Sequence, residues 1–587
     1  MRPTPPTHGT SGNTAVTPVT PLISDDAAPD GSAPVGLPAA GQDHPPGRSR
    51  ATARAADTAT ASTPSGRFLA KATLLTTALS MLGSLLGLAR DQSLAHFFGA
   101  SGETDALLVA WTLPELAGSL LIEDGMVIVL VPAFSVALAR RARGISSPDP
   151  VRALIAASLP RLSLAFAGLA AVFIAAAPLL VSVLAPGLPD PSLAVDCTRM
   201  TATCVLTFGL AGYCSAALRA HRSYLAPATI SLASNSAIIV TMFALGGRWG
   251  VRSAAFGVAL GGCLMVTVQG VALWRRLSDG PRQPSSAEAE EDGRPLTIAL
   301  VGAVLLFALC RHSQVLVERY FASGLPSGSI SHLNYAQKVG QYPMLLALTL
   351  AIVTYPVVAQ AIAQGDLRRA RERIEQDLVL VASVALTGAA AIVACAPQIV
   401  QLLFERGAFT AEDTAATAGI LRVYTLGLLG QALVGTLLRS YFSAGRATWY
   451  PAGAMAVGLV TTAGIDAWSA GHWDARGIAL GNAAGITLTG LILLHGLRSH
   501  SVPVRVRKLV GELAKAPVAA ACAAGAGFVC ARAFTSPAGA VAAGGVSVTV
   551  VFLLLAWVLD VADARSLTRV AALAVRRFLT RKARHGR

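Results

Sequence analysis

A chain of 587 residues with 53% apolar and only 13% charged residues carries about half the charge of soluble proteins, where charged residues average roughly 25%. Those charges cluster between apolar stretches of about 20 residues, the length at which an α-helix crosses roughly 30 Å of hydrocarbon. The net charge of +15 sits mainly in Arg-bearing loops beside these stretches, which fits membrane orientation rather than a nucleic-acid partner, and the absence of alternating ten-residue strands argues against a β-barrel.

In chain order, residues 1–66 are rich in Pro, Thr, Ala, Gly and Ser without apolar periodicity. The segment is expected to be a disordered cytoplasmic tail, because it cannot bury enough apolar surface to offset its conformational entropy and has no signal-peptide core. Candidate spans follow near 68–89, 104–139, 153–184, 194–219, 224–246, 252–274, 296–321, 329–362, 377–404, 412–441, 448–468, 476–497, 513–533 and 538–560. The second is too long for one plain helix and contains Pro114, Gly118 and Glu123-Asp124-Gly125. Proline removes a backbone donor, so a break is expected there, of the kind tolerated at membrane depth beside a cavity. The predicted class is an all-α integral membrane protein of about fourteen helices.

Every second loop is basic: Arg140, Arg141, Arg143 and Arg152; Arg219 and Arg222; Arg275, Arg276 and Arg282; Arg368, Arg369, Arg371 and Arg373; Arg439 and Arg446; Arg498, Arg505, Arg507 and Lys508. The opposite loops are poorer in charge, with Arg248 and Arg252 as exceptions. This alternation predicts an inner-membrane protein with both termini in the cytoplasm, the basic tail 563–587 lying on the inner leaflet. An internal repeat is visible as well. Thr207-Phe208-Gly209-Leu210-Ala211-Gly212 recurs as Thr425-Leu426-Gly427-Leu428-Leu429-Gly430, and Pro132 and Pro227 have counterparts in Pro356 and Pro451. The expected organisation is a six-helix half over 67–275, a linker over 276–295, a second half over 296–500 and two further helices over 501–562. Transporters place substrate between such halves and rock one against the other.

No phosphate loop, HExxH, GxSxG or metal-spaced Cys/His set occurs, so neither catalysis nor a cofactor or metal is expected. The eight cysteines, with no CxxC pair, read as small buried apolar residues. Intramembrane charge is the strongest local signal, since an unpartnered charge in hydrocarbon costs at least a few kcal/mol. Arg90 and Asp91 end the first span, Asp105, Glu115, Glu123 and Asp124 lie in the second, and Arg311, Glu318, Arg319 and Lys338 lie in or beside the seventh and eighth. Arg90, Arg311 and Lys338 together would form a cationic cavity suited to a pyrophosphate, because Arg gives paired hydrogen bonds to phosphate oxygens. The competing reading is snorkelling or a structural Arg–Asp pair. That reading is preferred for Glu318 and Arg319, expected near the outer interface. Glu115, Glu123 and Asp124 are the candidates for gating or ion coupling.

Leu86-Gly87-Leu88-Ala89-Arg90-Asp91, Phe98-Gly99-Ala100, Thr104-Asp105-Ala106, Leu113-Pro114-Glu115-Leu116 and Val131-Pro132 resemble the opening of the MurJ/MviN lipid II flippases. Phe321-Ala322-Ser323-Gly324-Leu325, Gly328-Ser329-Ile330-Ser331 and Leu333-Asn334-Tyr335-Ala336, followed by Pro343 and Pro356, continue the match in order and spacing over about residues 68–500. The resemblance implies a fourteen-helix fold of the multidrug/oligosaccharidyl-lipid/polysaccharide exporter superfamily. It implies movement of an undecaprenyl-pyrophosphate-linked peptidoglycan precursor from inner to outer leaflet, for cell-wall synthesis. Arg90 and Asp105 then stand at cargo-site positions, with Lys338 at a position that is Arg in the family. Ser84 and Gly118 replace two further arginines and Gln341 replaces a Glu, so two cationic positions are lost and one is softened. The expected partners are a lipid-linked anionic cargo, membrane lipids and cell-wall synthesis proteins. Three other readings stay open: export of another lipid-linked saccharide, ion-coupled antiport of a small amphipathic compound, and a non-transporting membrane scaffold.

Overall fold

The computed structural model describes residues 66–142, 149–278, 298–364, 366–443, 449–500 and 505–559. The expected N-terminal tail except its last residue, the linker beyond residue 278, and the basic C-terminal tail lie outside the described residues. The N-terminal half comprises α1 (Gly66–Phe98), α2 (Gly102–Ala117), a π-helical stretch (Gly118–Asp124), α3 (Gly125–Ala142), α4 (Pro150–Ala175), α5 (Ala177–Leu184), α6 (Pro191–Ala202), α7 (Cys204–Ala220), α8 (Leu225–Ala228), α9 (Ile230–Trp249) and α10 (Arg252–Ser278). The C-terminal half comprises α11 (Ile298–Ala322), α12 (Ser329–Ala363), α13 (Leu367–Phe404), α14 (Ala411–Thr425), α15 (Leu428–Ser443) and α16 (Tyr450–His500). A final pair, α17 (Val506–Arg532) and α18 (Pro537–Val558), packs on α13.

Helix is the outcome the sequence demands, since a lipid-exposed backbone must satisfy its own hydrogen bonds. By length and apolar character, nine described helical segments could cross a membrane, or ten if the bent pair α14–α15 is one span. Fourteen is reached by counting the two arms of α16 separately and adding α1, α11 and α12; that fuller count is a proposal. The expected break in the second span takes the form of the π-helical stretch after Pro114. It is held by α7, where a Cβ on Gly212 would stand 2.2 Å from the Leu121 carbonyl oxygen.

The repeat is carried in backbone geometry. Between α9 and α10, Gly250 has φ 55° and ψ −140°. At the break of α16, Asp474 has φ 50° and ψ −141°, and it stands 224 positions later in the chain. The same offset relates the packing glycines that follow. A Cβ on Gly257 would lie 2.2 Å from Thr241 Oγ1, and one on Gly481 would lie 1.9 Å from Asp466 Oδ1. Gly261 and Gly485 lie one turn further on against Ser234 and Thr462. Each half therefore ends in a helical hairpin closed by glycines at four-residue spacing, which let membrane helices approach backbone to backbone.

At one end the two halves are pressed together. The Ala408 N–H donates to the His96 carbonyl at 2.9 Å, Gln92 Nε2 donates to the Leu403 carbonyl at 3.0 Å, and the Gly187 N–H donates to Ser323 Oγ at 3.2 Å. Gly99, Gly328 and Gly407 have positive φ here, at 61°, 94° and 65°. Carbonyl oxygens of the opposite half stand 2.6, 2.6 and 2.3 Å from where their Cβ atoms would be. Only glycine meets both demands at once. Tyr335, Phe404 and Phe409 pack in an aromatic cluster at the same contact. The loops at this closed end are the charge-poor ones, expected outside the cell.

Candidate functional site

Arg90, near the end of α1, donates from Nε and Nη2 to Asp91 Oδ1 at 3.0 and 2.7 Å. Its Nη1 donates to Asn235 Oδ1 on α9 at 3.0 Å, and its guanidinium lies 4.8 Å over the Trp111 ring. Asn235 is itself anchored, donating to the Gly83 carbonyl at 3.2 Å. This arrangement fixes the guanidinium on a π face and three hydrogen bonds, with two of its five N–H groups uncommitted among the described residues. Arg90, Asp91, Trp111, Asn334 and Lys338 line one cleft between the halves, with Leu94, Leu108, Ile238, Met242 and Ala254 as its apolar walls. Two residues read from distant parts of the sequence are thus brought to one surface, Arg90 from the N-terminal half and Lys338 from the C-terminal half.

A second cleft adjoins it, with Asn334 common to both and Glu318, Arg319 and Gln337 among its walls. Arg319 is buried, and it donates from Nη1 to Thr112 and from Nη2 to Glu115 at 3.4 Å. Lys338 Nζ lies 3.6 Å from the other oxygen of Glu115. One carboxylate on α2 therefore meets two cations of the opposite half. Buried Glu318 accepts from Asn482 Nδ2 on α16. Nearby, Asp466 is fully buried and neither carboxylate oxygen has a hydrogen-bond partner among the described residues.

Other sequence-nominated residues sit elsewhere. Asp105 lies at the closed end, 4% exposed. Its carboxylate accepts from the Gly328 N–H at 2.7 Å, the Ser331 N–H at 2.8 Å and the Ser331 hydroxyl at 2.6 Å. It thus caps the N-terminus of α12 from α2 in the opposite half, where negative charge also meets the positive helix end. Arg311 is exposed on α11 and lines neither cleft. Glu123 is exposed in the π-helical stretch; Asp124 ends that stretch, and its side chain is outside the described residues.

Ser84 is exposed and donates to the Ser80 carbonyl at 3.2 Å, and a Cβ on Gly118 would face the Phe208 ring. Arg161 is exposed. A further cation beside the clefts is Arg319, held to Glu115 in a buried ion pair. Asp466 carries the same signal in the sequence as Glu318, an acid inside an apolar span. No group of three or more His, Cys, Asp or Glu residues among the described residues could hold a metal ion.

Comparisons with known proteins agree with this architecture. The profile of a family described as lipid II flippase MurJ matches residues 94–543. The lipid II flippase MurJ of Burkholderia cenocepacia is 26% identical over 448 residues, covering 74% of this chain and 84% of the relative. A probable lipid II flippase MurJ of Bdellovibrio bacteriovorus is 26% identical over 469 residues, covering 77% and 86%. Among solved structures, a lipid II flippase MurJ in an inward closed conformation superposes with a TM-score of 0.68 at 20% identity, covering 83% of this chain and 98% of that one. An inward-facing multidrug resistance transporter of the MATE family gives 0.55 at 15% identity, covering 75% and 99%, a likeness of fold alone. With the family profile spanning both halves and most of the appended pair, this multi-pass membrane protein belongs to the lipid II flippase MurJ family.

Proposed function

We propose that this protein moves a lipid-linked anionic cell-wall precursor of the lipid II type from the inner to the outer leaflet by alternating access. One observation carries the reading: Arg90 and Lys338, one from each half, line a single cleft between halves that touch at the other end. A phosphate bridging these two cations would draw the halves together around the cargo. Arg90 would supply forked donors and Lys338 a point charge. With the positive-inside rule setting both termini in the cytoplasm, the closed end faces outward and the cleft receives cargo from the inner leaflet. The protein makes and breaks no covalent bond in this scheme.

Glu318 and Asp466 supply the energetic coupling. An unpaired buried carboxylate is costly as an anion, so Asp466, buried without a hydrogen-bond partner among the described residues, is a place where a proton or a small cation would be taken up. Exchange of that proton or cation as the halves rock would link transport to an ion gradient. The same acid pair favours one alternative, ion-coupled export of a small amphipathic compound. The deciding experiment is rescue of a bacterium depleted of its own lipid II flippase, with Arg90→Ala beside the wild type and membrane expression measured for both. Growth that requires Arg90, with precursor restored to the outer leaflet, supports the flippase. Failure of the well-expressed wild-type protein would sink it and direct the search to other amphipathic cargo.

A further inference from the structure

Each cation near the cleft already has an anionic partner supplied by the chain. Arg90 is paired with the adjacent Asp91 at 2.7 Å, and that pair lies within one helix. Glu115 differs, because it sits on α2 in the N-terminal half while Lys338 and Arg319, at 3.6 and 3.4 Å, sit on α12 and α11 in the other. The two contacts also differ in access. Arg319 keeps only 6% of its side-chain surface exposed, whereas Lys338 and Glu115 keep 24% and 29%. Lys338 lines the first cleft with Arg90, while Arg319 lines the second. A ligand entering the cleft beside Arg90 reaches Lys338 and leaves Arg319 with Glu115 and Thr112.

We propose that Glu115 is a built-in counter-ion of the cargo-free state. The cargo's phosphate displaces it from Lys338, and loss of that pair removes the ion-pair tie between α2 and α12 beside the cleft, leaving the Asp105 cap at the closed end as the remaining polar tie described above. This rests on the anionic, lipid-linked cargo proposed above and adds a competitor for it. A carboxylate and a phosphate cannot both occupy the ammonium's accessible side, so the Glu115–Lys338 contact is subtracted from cargo affinity. It also excludes uncharged lipids, which gain nothing that would replace the broken ion pair.

The test measures binding of undecaprenyl pyrophosphate, with undecaprenol as the uncharged control, to the full chain in detergent. Glu115→Gln should bind the pyrophosphate about tenfold more tightly than wild type, a change of about 1.4 kcal/mol. The gain should vanish when Lys338→Gln is added. Glu115→Asp keeps the charge but is one methylene shorter, so it should show a smaller gain and serves if the Gln variant does not fold. Equal or weaker binding by a folded Glu115→Gln protein overturns the proposal while leaving the cargo reading intact, as does a gain that persists without Lys338. Wild-type protein that binds undecaprenol as well as the pyrophosphate overturns both.

Discussion

Removing the Asp105 carboxylate should open the closed end. In Asp105→Ala the N-terminus of α12 loses three acceptor contacts at 2.6–2.8 Å, two to backbone N–H groups and one to a hydroxyl. A hydrogen bond to a charged group contributes about 1.5–3 kcal/mol and an N-cap about 0.5–2 kcal/mol, but the three share one carboxylate and its burial cost, so they do not add. About 3 kcal/mol lost from the closed state alone is a fair figure, because in the open state water can satisfy the same donors. At 1.4 kcal/mol per tenfold, the open population rises roughly 100-fold. A cysteine introduced at Ala336, fully buried on α12, reports this through its rate of reaction with a maleimide, in a background where the exposed Cys263, Cys522 and Cys530 are replaced by Ser. Labelling should accelerate strongly in Asp105→Ala and moderately in Asp105→Asn, which keeps one acceptor. An unchanged rate in the folded variant would refute the capping role. If that variant also lost affinity for undecaprenyl pyrophosphate, Asp105 would instead be a cargo contact.

Two further outcomes follow from the paired hairpins of α9–α10 and α16. Asp474 occupies, at φ 50° and ψ −141°, a region nearly restricted to glycine, and its counterpart in the first half is a glycine. Asp474→Gly should therefore stabilise the protein by about 1 kcal/mol after the extra chain entropy of glycine is subtracted, read as a small rise in Tm; a fall in Tm would show that the Asp side chain is needed there. Asp466→Asn replaces a buried carboxyl group that has no hydrogen bond to lose among the described residues, so Tm should not fall. Transport in vesicles should stop responding to an imposed proton or sodium gradient, and a response equal to wild type would remove Asp466 from the coupling.

The sequence by itself determined the solvent and the secondary structure. Charge scarcity, twenty-residue apolar stretches and alternating basic loops admit few alternatives, because hydrocarbon tolerates neither unpaired backbone nor unpartnered charge. It also singled out Arg90 and Lys338 as cations worth explaining. Tertiary structure alone decided which charges meet. Asp105 and Arg90 are fifteen positions apart in the chain, yet one caps α12 at the closed end and the other lines the cleft beside Lys338. Arg319 and Arg311 share α11, but only Arg319 turns inward to Thr112 and Glu115. Asp466 gained its significance from Gly481, whose missing side chain leaves room for the carboxylate between the arms of α16. An isolated charge in a span announces that a partner is needed; its identity depends on helix rotation and on contacts between halves hundreds of residues apart, which local sequence patterns do not encode.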